Sequence, residues 1–316
     1  MRSLLTALAI PFAAPTTEEK PMHVGVIGLG DMGSGLAKNL IANGHDVTGL
    51  DLSPDRMKAL LKMGGVAATS VADVARNVEA VFVMVMNGDQ AKSIILGKDG
   101  LLTNLARGSA IILTATIKPS EAREIAERLA GSGMHLIDSP VSGGFAGAQS
   151  GTLTMMASAS SEAMQTFRPV MEAVSGTIHH VGLEPGMGQT IKACLQTLIG
   201  SIFAATFEAS ALCAKAGFSG QTVWDVFSTS GAGCNVTNGA LENIVDRKFE
   251  GTGSGIGTMH KDLTISLDMA ERLGVPLHMA ATAMQIFQAG KAKYPDGDNW
   301  VCTRVIEEII GAELHR

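Results

Sequence analysis

A lysine and a glutamine four residues apart stand inside an apolar helical run, "GMGQTIKACLQ", so Lys192 and Gln196 share one helix face. A neutral amine there can accept the proton of a substrate hydroxyl, and its ammonium can return one. The plain alternative is a side chain that reaches out of the apolar run to water. A second stretch, "DSPVSGGFAGAQSGTLTMMA" (138–157), leaves a strand and turns to small residues. Ser142 offers a hydroxyl, and Gly143 and Gly144 offer unobstructed N–H groups, a set suited to a carboxylate; a tight turn with a helix cap would use the same residues. In "MHKDLTISLDMA", Lys261 and Asp262 open a helix with an apolar stripe and read by default as a solvated charge pair.

A third stretch, "GLGDMG", has the spacing G-x-G-x-x-G, with "VGVI" before it, a helix after it, and Asp51 at the end of the next strand. Gly28 permits the tight turn, Gly30 lets a pyrophosphate approach, and Gly33 lets the helix pack on the strand, while the helix N-terminus supplies N–H donors. Leu29 and Met32 fall within the same turn and are expected beside the dinucleotide. Asp51 can accept from both adenosine ribose hydroxyls and would repel a 2′-phosphate, which predicts NAD rather than NADP; Arg56 nearby weakens that preference. Met86 and Asn87 in "MVMNGDQ" and Thr116 in "LTATIKP" lie at the same sheet edge. They are candidate cofactor contacts, with capping of the following helices as the alternative for Asn87 and Thr116.

The elements that must position these residues are legible in outline. From Met22 to about Val181, short apolar runs ("HVGVIGL", "DVTGLDL", "AVFVMVM", "SAIILT", "HLIDSPV", "LTMMAS", "IHHVG") alternate with helical segments. That alternation predicts a doubly wound α/β fold, a parallel sheet with helices on both faces. After "GLEPGMG" strand signals cease. Residues 188–216 read as one long helix, and shorter helices follow. The chain divides into a dinucleotide-binding domain over 22–184 and an all-helical substrate and oligomerisation domain over 185–316. A long apolar helix at the start of the second domain points to a homo-oligomer, a dimer or tetramer.

With 46% hydrophobic and 17% charged residues the chain is globular rather than disordered, and no apolar run is expected to reach the length of a membrane span. A net charge of −6 argues against nucleic acid or an anionic membrane as a general partner. The four cysteines form no C-x-x-C pair and read as reduced packing residues of a cytoplasmic protein. No metal site is expected, since paired ligand spacings are missing. The first 21 residues have the look of a secretory signal, but Met22 stands directly before the first strand. An over-extended start or a disordered tail is therefore expected for 1–21.

Taken in order, "GVIGLGDMGSGLAKNL", "DSPVSGG", "GMGQTIKACLQ" and "KDLTISLD" resemble the β-hydroxyacid dehydrogenases, a family that includes 3-hydroxyisobutyrate and L-threonate dehydrogenases and tartronate semialdehyde reductase. The resemblance covers residues 22–311. It implies a Rossmann domain joined by a long helix to a helical domain, a cleft between them, and hydride transfer between NAD and a small hydroxy acid. By that resemblance Lys192 matches the catalytic lysine and Ser142-Gly143-Gly144 the substrate-binding turn. Lys261 matches the nicotinamide-side lysine and Thr116 a cofactor contact. Gln196, expected to hold the substrate hydroxyl or carboxylate, stands where many members carry asparagine, and Leu195 replaces another polar position. Gln196, "LTMMAS" and "AATAMQIF" look more like the L-threonate branch, whereas "SGAGCNVTNG" does not. Competing readings are a tartronate semialdehyde or glyoxylate-type reductase using NAD(P)H, an imine reductase, and a non-catalytic NAD-binding module; the presence of Lys192 counts against the last two.

Overall fold

The computed structural model describes residues 20–316, so the expectation for an N-terminal extension falls almost wholly outside the described residues. Among the described residues nine strands form one sheet: β1 (His23–Ile27), β2 (Asp46–Leu50), β3 (Val66–Ala67), β4 (Ala80–Val83), β5 (Ala110–Leu113), β6 (His135–Asp138), β7 (Val141–Ser142), β8 (Leu153–Ser158) and β9 (Ser175–Gly182). The first six run parallel in the order β3-β2-β1-β4-β5-β6. Every residue of β4 and β5 is buried, because helices cover both faces of these central strands. Apolar cores flank the sheet, one built around Leu36, Leu40, Phe82 and Phe167, the other around Val81, Ile95, Ile111 and Ile125. Strand order reverses between β1 and β4, which opens the crevice where ligands of such sheets bind.

The far edge departs from the expected all-parallel sheet. β6 and β7 both pair antiparallel with β8 in one register, Asp138 opposite Ser158 and Ser142 opposite Thr154. Ser139 and Pro140 separate β6 from β7, and Pro140 cannot donate to the ladder, so one course of chain is split in two. β9 then joins β8 in parallel. β3 and β7, two residues each, are too short to leave a periodic signal.

The glycine-rich stretch after β7 is less bare than its composition suggests. Gly143 and Gly144 take positive φ (129° and 60°), but residues Gly144–Ser150 then form a helix laid against the helix Asp31–Ala42. A Cβ on Gly35 would come within 2.5 Å of the Ala148 carbonyl oxygen, and Asn39 Nδ2 donates to that same oxygen at 2.8 Å. Several of the small residues therefore serve close helix packing and not a ligand.

The second half is built on the 29-residue helix Met187–Lys215. The helices Gly220–Thr229, Asn235–Val245, Ile256–Leu273, His278–Lys293 and Cys302–Ile310 follow it in the chain. Phe203, Phe207, Phe287 and Trp300 interlock in its core, with ring centroids about 6 Å apart. By length and composition alone this helix could cross a membrane, contrary to the expectation that no such run exists. Its buried face carries Gln189, Lys192 and Gln196 beside Phe203 and Phe207, which suits a core helix of a folded domain.

At the junction Gly186 (φ 89°) caps the long helix, and Gly188 brings its first turn against the sheet. A Cβ on Gly188 would lie 2.5 Å from the carbonyl oxygens of Asp138 and Met156. Only a bare backbone fits there.

Candidate active site

The G-x-G-x-x-G turn has the geometry its spacing predicts. Gly28 has φ 91° and sits so close to the Met84 carbonyl oxygen that a Cβ would approach it to 2.1 Å. Gly33 is held under the Gly28 carbonyl, at 1.8 Å for a Cβ. Gly30 differs: its Cβ position meets only the Arg56 guanidinium, at 3.8 Å, so that face of the turn is open. Gly30 starts the helix Asp31–Ala42 with no side-chain cap on the first N–H groups.

Asp51 is fixed rather than free. Its Oδ2 accepts from the Leu29 N–H at 2.7 Å and its Oδ1 from the Ser53 N–H at 2.8 Å, with Arg56 Nη1 3.5 Å away. Its partners Leu29 and Arg56 line a cavity of about 220 Å³, together with Gly30, Asp31, Ser34 and Met63 among others. An open glycine face, uncapped helix N–H groups and a clamped carboxylate beside a cavity fit the pyrophosphate and adenosine of a dinucleotide. Leu29 itself is buried, with its N–H committed to Asp51, and Met32 packs against the core.

Of the other expected contacts, Met86 is exposed and its N–H donates to Gln90 Oε1 at 2.9 Å. Asn87 caps the helix Gly88–Leu96, its Oδ1 accepting from the Gln90 N–H at 2.9 Å. Thr116 caps nothing: the helix Pro119–Leu129 begins after Lys118, whose N–H donates to Glu121 Oε2 at 2.9 Å. The Thr116 carbonyl instead accepts from Lys261 Nζ at 2.6 Å across the domain boundary.

That contact begins a chain of polar groups. Lys261 Nζ lies 2.8 Å from Asp262 Oδ1, an ion pair off the line of an aligned hydrogen bond. Asp262 Oδ2 accepts from Gln196 Nε2 at 2.6 Å, and Gln196 Oε1 accepts from Lys192 Nζ at 3.1 Å. Ser266 Oγ donates to the Ala193 carbonyl at 2.9 Å, and Gly200 admits Leu263, so the two helices that carry the chain are held close. Lys192 is 6% exposed. Burial pushes its amine below the ordinary lysine range; the Lys261 charge pushes the same way and the Asp262 charge opposes both. The spacing had shown the shared face of Lys192 and Gln196. Lys261, which the family resemblance places on the nicotinamide side, and Asp262, which spacing alone reads as its solvated partner, are half-buried and buried respectively and belong to the same chain.

Ser142 is half-buried at the end of β7 and Gly143 and Gly144 are exposed just beyond it. Phe145 touches the other domain, since a Cβ on Gly253 would come within 2.8 Å of its side chain. The loop that holds Gly253 is tied down by Asp298, whose carboxylate accepts from the N–H and hydroxyl of Thr252 and the N–H of Ser254. This loop leads into the helix Ile256–Leu273 that carries Lys261 and Asp262.

Two buried residues were not singled out by type or spacing. Asp138, at the end of β6, accepts from the Gly186 N–H (2.8 Å), the Gln189 N–H (3.4 Å), Gln189 Nε2 (2.8 Å) and Ser158 Oγ (3.3 Å). Burial pushes its carboxyl above the usual carboxylate range while these donors pull it back. Gln189 stands three residues ahead of Lys192, and a polar side chain at that point of an apolar run was the available signal.

Comparison with known proteins gives a consistent picture. Residues 23–182 match the NAD-binding domain family of 6-phosphogluconate dehydrogenase. Residues 186–306 match the NAD-binding family of NADP-dependent 3-hydroxyisobutyrate dehydrogenase. An L-threonate dehydrogenase of Escherichia coli O6:H1 is 35% identical, over 91% of this chain and 95% of its own. A 3-hydroxyisobutyrate dehydrogenase of Pseudomonas aeruginosa is 34% identical, over 84% and 90%. Among solved structures, a 3-hydroxyisobutyrate dehydrogenase from Salmonella typhimurium superposes with a TM-score of 0.84 at 33% identity, covering 90% of this chain and 99% of that one.

Proposed function

We propose, from the premise that this chain belongs to the β-hydroxyacid dehydrogenase family and is an NAD-dependent enzyme of it, that it oxidises a small hydroxy carboxylic acid of the L-threonate or 3-hydroxyisobutyrate type, with Lys192 as the acid/base group. The observation that carries the reading is the buried Lys192 amine, lowered in pKa and linked through Gln196, Asp262 and Lys261 to the Thr116 carbonyl.

NAD, when bound, supplies the acceptor for the substrate's hydride. Gly30 and the first turn of Asp31–Ala42, set in place by Gly28 and Gly33, would hold its phosphates, and Asp51 would hold the adenosine ribose. Lys192 Nζ takes the hydroxyl proton in oxidation, because burial lets its neutral form exist at a pH where a free lysine stays charged. In the reverse direction its ammonium returns the proton. Gln196 orients the amine through Oε1; one of its two amide N–H groups goes to Asp262 and the other is left for the substrate hydroxyl. Ser142 and the N–H groups of Gly143 and Gly144 receive the substrate carboxylate. An alkaline optimum for oxidation is expected.

Residues 22–184 serve as the dinucleotide domain and 185–316 as the substrate and oligomerisation domain. Four free thiols suit a reducing, cytoplasmic setting. The test is NADH absorbance across a panel of small hydroxy acids, with NADP in parallel and Lys192→Ala as the control. Turnover of L-threonate or 3-hydroxyisobutyrate that vanishes in Lys192→Ala supports the reading. Turnover that survives the substitution removes Lys192 from its role. Silence across the panel with NAD still bound favours a recognition module.

A further inference from the structure

Gln189 is completely buried, and every hydrogen-bonding group of its side chain is used. Nε2 donates to the Ala115 carbonyl at 3.1 Å and to Asp138 Oδ1 at 2.8 Å, while Oε1 accepts from the Ile117 N–H at 3.0 Å. A carbonyl only accepts and an N–H only donates, so Ala115 and Ile117 fix which way the amide faces. Ala115 and Ile117 flank Thr116, whose own carbonyl receives Lys261. This short segment is thus pinned by the helix that carries Lys192 on one side and by the helix that carries Lys261 on the other. Capping alone does not account for the arrangement: Asp138 already accepts from the main-chain N–H groups of Gly186 and Gln189. The side-chain bonds to Ala115 and Ile117 join the long helix to the carboxyl edge of β5 instead.

We propose that Gln189 is a positioning residue of the reaction, which sets the register between the first turn of the helix Met187–Lys215 and the segment Ala115–Ile117, with Asp138 as a further acceptor for its amide. The proposal rests on the reading of Lys192 as acid/base group. The amine lies three residues along the same helix, so a slip of that turn moves it relative to whatever is bound at the β5 edge, and transfer rates fall steeply with such a displacement.

The test compares Gln189→Met, Gln189→Glu, the double variant Asp138→Asn with Gln189→Glu, and Lys192→Met, using NAD with L-threonate and with 3-hydroxyisobutyrate, each also deuterated at the carbinol carbon. Gln189→Met keeps the volume and loses all three bonds. It is expected to lower kcat roughly tenfold to a hundredfold, to raise the primary deuterium isotope effect, and to leave the pH of the activity limb unchanged. Gln189→Glu sets a carboxylate against Asp138 and should be impaired too. In the double variant the amide introduced by Asp138→Asn can donate to the new carboxylate, which still accepts from Ile117, while the Ala115 carbonyl stays without its donor; part of the loss should be recovered. Hydrogen exchange of the NAD complex gives a readout without turnover, the Ile117 amide exchanging faster in Gln189→Met than in the parent. A parent-like rate and isotope effect, an unchanged Ile117 amide, or lost activity that tracks a lost melting transition with no recovery in the double variant would each overturn the proposal. Turnover surviving Lys192→Met sinks the acid/base reading; an inactive Lys192→Met beside an unimpaired Gln189→Met sinks the positioning role alone.

Discussion

An amine inside a helical domain can reduce its cost by losing its proton or by finding an anion, and Lys192 has access to both. Burial and Lys261 favour the neutral form, and Asp262, reached through Gln196, favours the charged one. Removing either neighbour therefore moves the pH at which oxidation switches on, in opposite directions. Lys261→Met deletes a cation that lowers the amine and exposes it to an unpaired Asp262, so the limb of kcat/KM should move to higher pH. Asp262→Asn should move it to lower pH, and a pH profile in which both variants shift the same way would contradict this electrostatic account. The same lowering means that, up to the ordinary value of 10.5, the unfolded chain holds a proton the folded one has shed. Stability from this group thus rises with pH between the lowered value and 10.5, and is lowest below that window. Lys192→Met is accordingly expected to lose about 10²–10⁴ in turnover with a neutral-pH melting temperature equal to or above the parent's. At the other end of the cofactor, Asp51 is held by two backbone N–H groups and cannot swing away from a 2′-phosphate. NADP should be at least roughly tenfold poorer than NAD in kcat/KM, about 1.4 kcal/mol, and Asp51→Ala should narrow that gap, since Arg56 then faces the phosphate without its carboxylate partner.

Elements meet here through missing side chains, and the glycines separate into those that pack and those that do not. Gly188→Ala would drive a methyl group into the carbonyls of Asp138 and Met156 and push the long helix off the sheet. A loss of about 1–3 kcal/mol in denaturant unfolding is expected, with a fall in kcat as Lys192 moves with its helix. Gly239, inside the helix Asn235–Val245, has nothing within 4 Å of its Cβ position and no positive φ. Gly239→Ala should stabilise by about 0.5–1 kcal/mol, and equal effects at the two sites would refute the packing argument. The sequence displayed the long helix to within a residue or two, because nearly thirty positions of helical periodicity average out local noise. It also displayed the dinucleotide turn, where local spacing and local geometry are the same thing. It concealed β3 and β7, which exist only through their neighbours, and the antiparallel return of β8, which depends on pairing partners far along the chain. Asp262 and Gln189 were misjudged or missed for one reason: their partners lie 66 and 51 or more residues away, beyond any local pattern.

At the scale of the molecule, the sheet domain and the helical domain meet at a junction tied by polar contacts: Gln189 to Ala115 and Ile117, Lys261 to Thr116, and Lys118 to Asp268 at 3.3 Å. The long helix contributes one face to that junction and to its own domain, but another face is uncovered. Met187, Ile191, Cys194 and Leu198 follow one another at spacings of four, three and four, with Leu212 further along the same line, and all are exposed, Leu198 to 59% and Leu212 to 71%. An apolar seam of that period on a helix is what a partner helix packs against in water. The proposed homo-oligomer would cover it. Light scattering on the purified protein should then give a mass above one chain, and the paired substitution Leu198→Glu with Leu212→Glu should reduce it to one chain. Glutamate at two exposed helical positions costs the isolated chain little, so the variant's helix content should be preserved. A parent protein that already scatters as one chain, or a paired variant that keeps the larger mass, would show that this seam joins nothing.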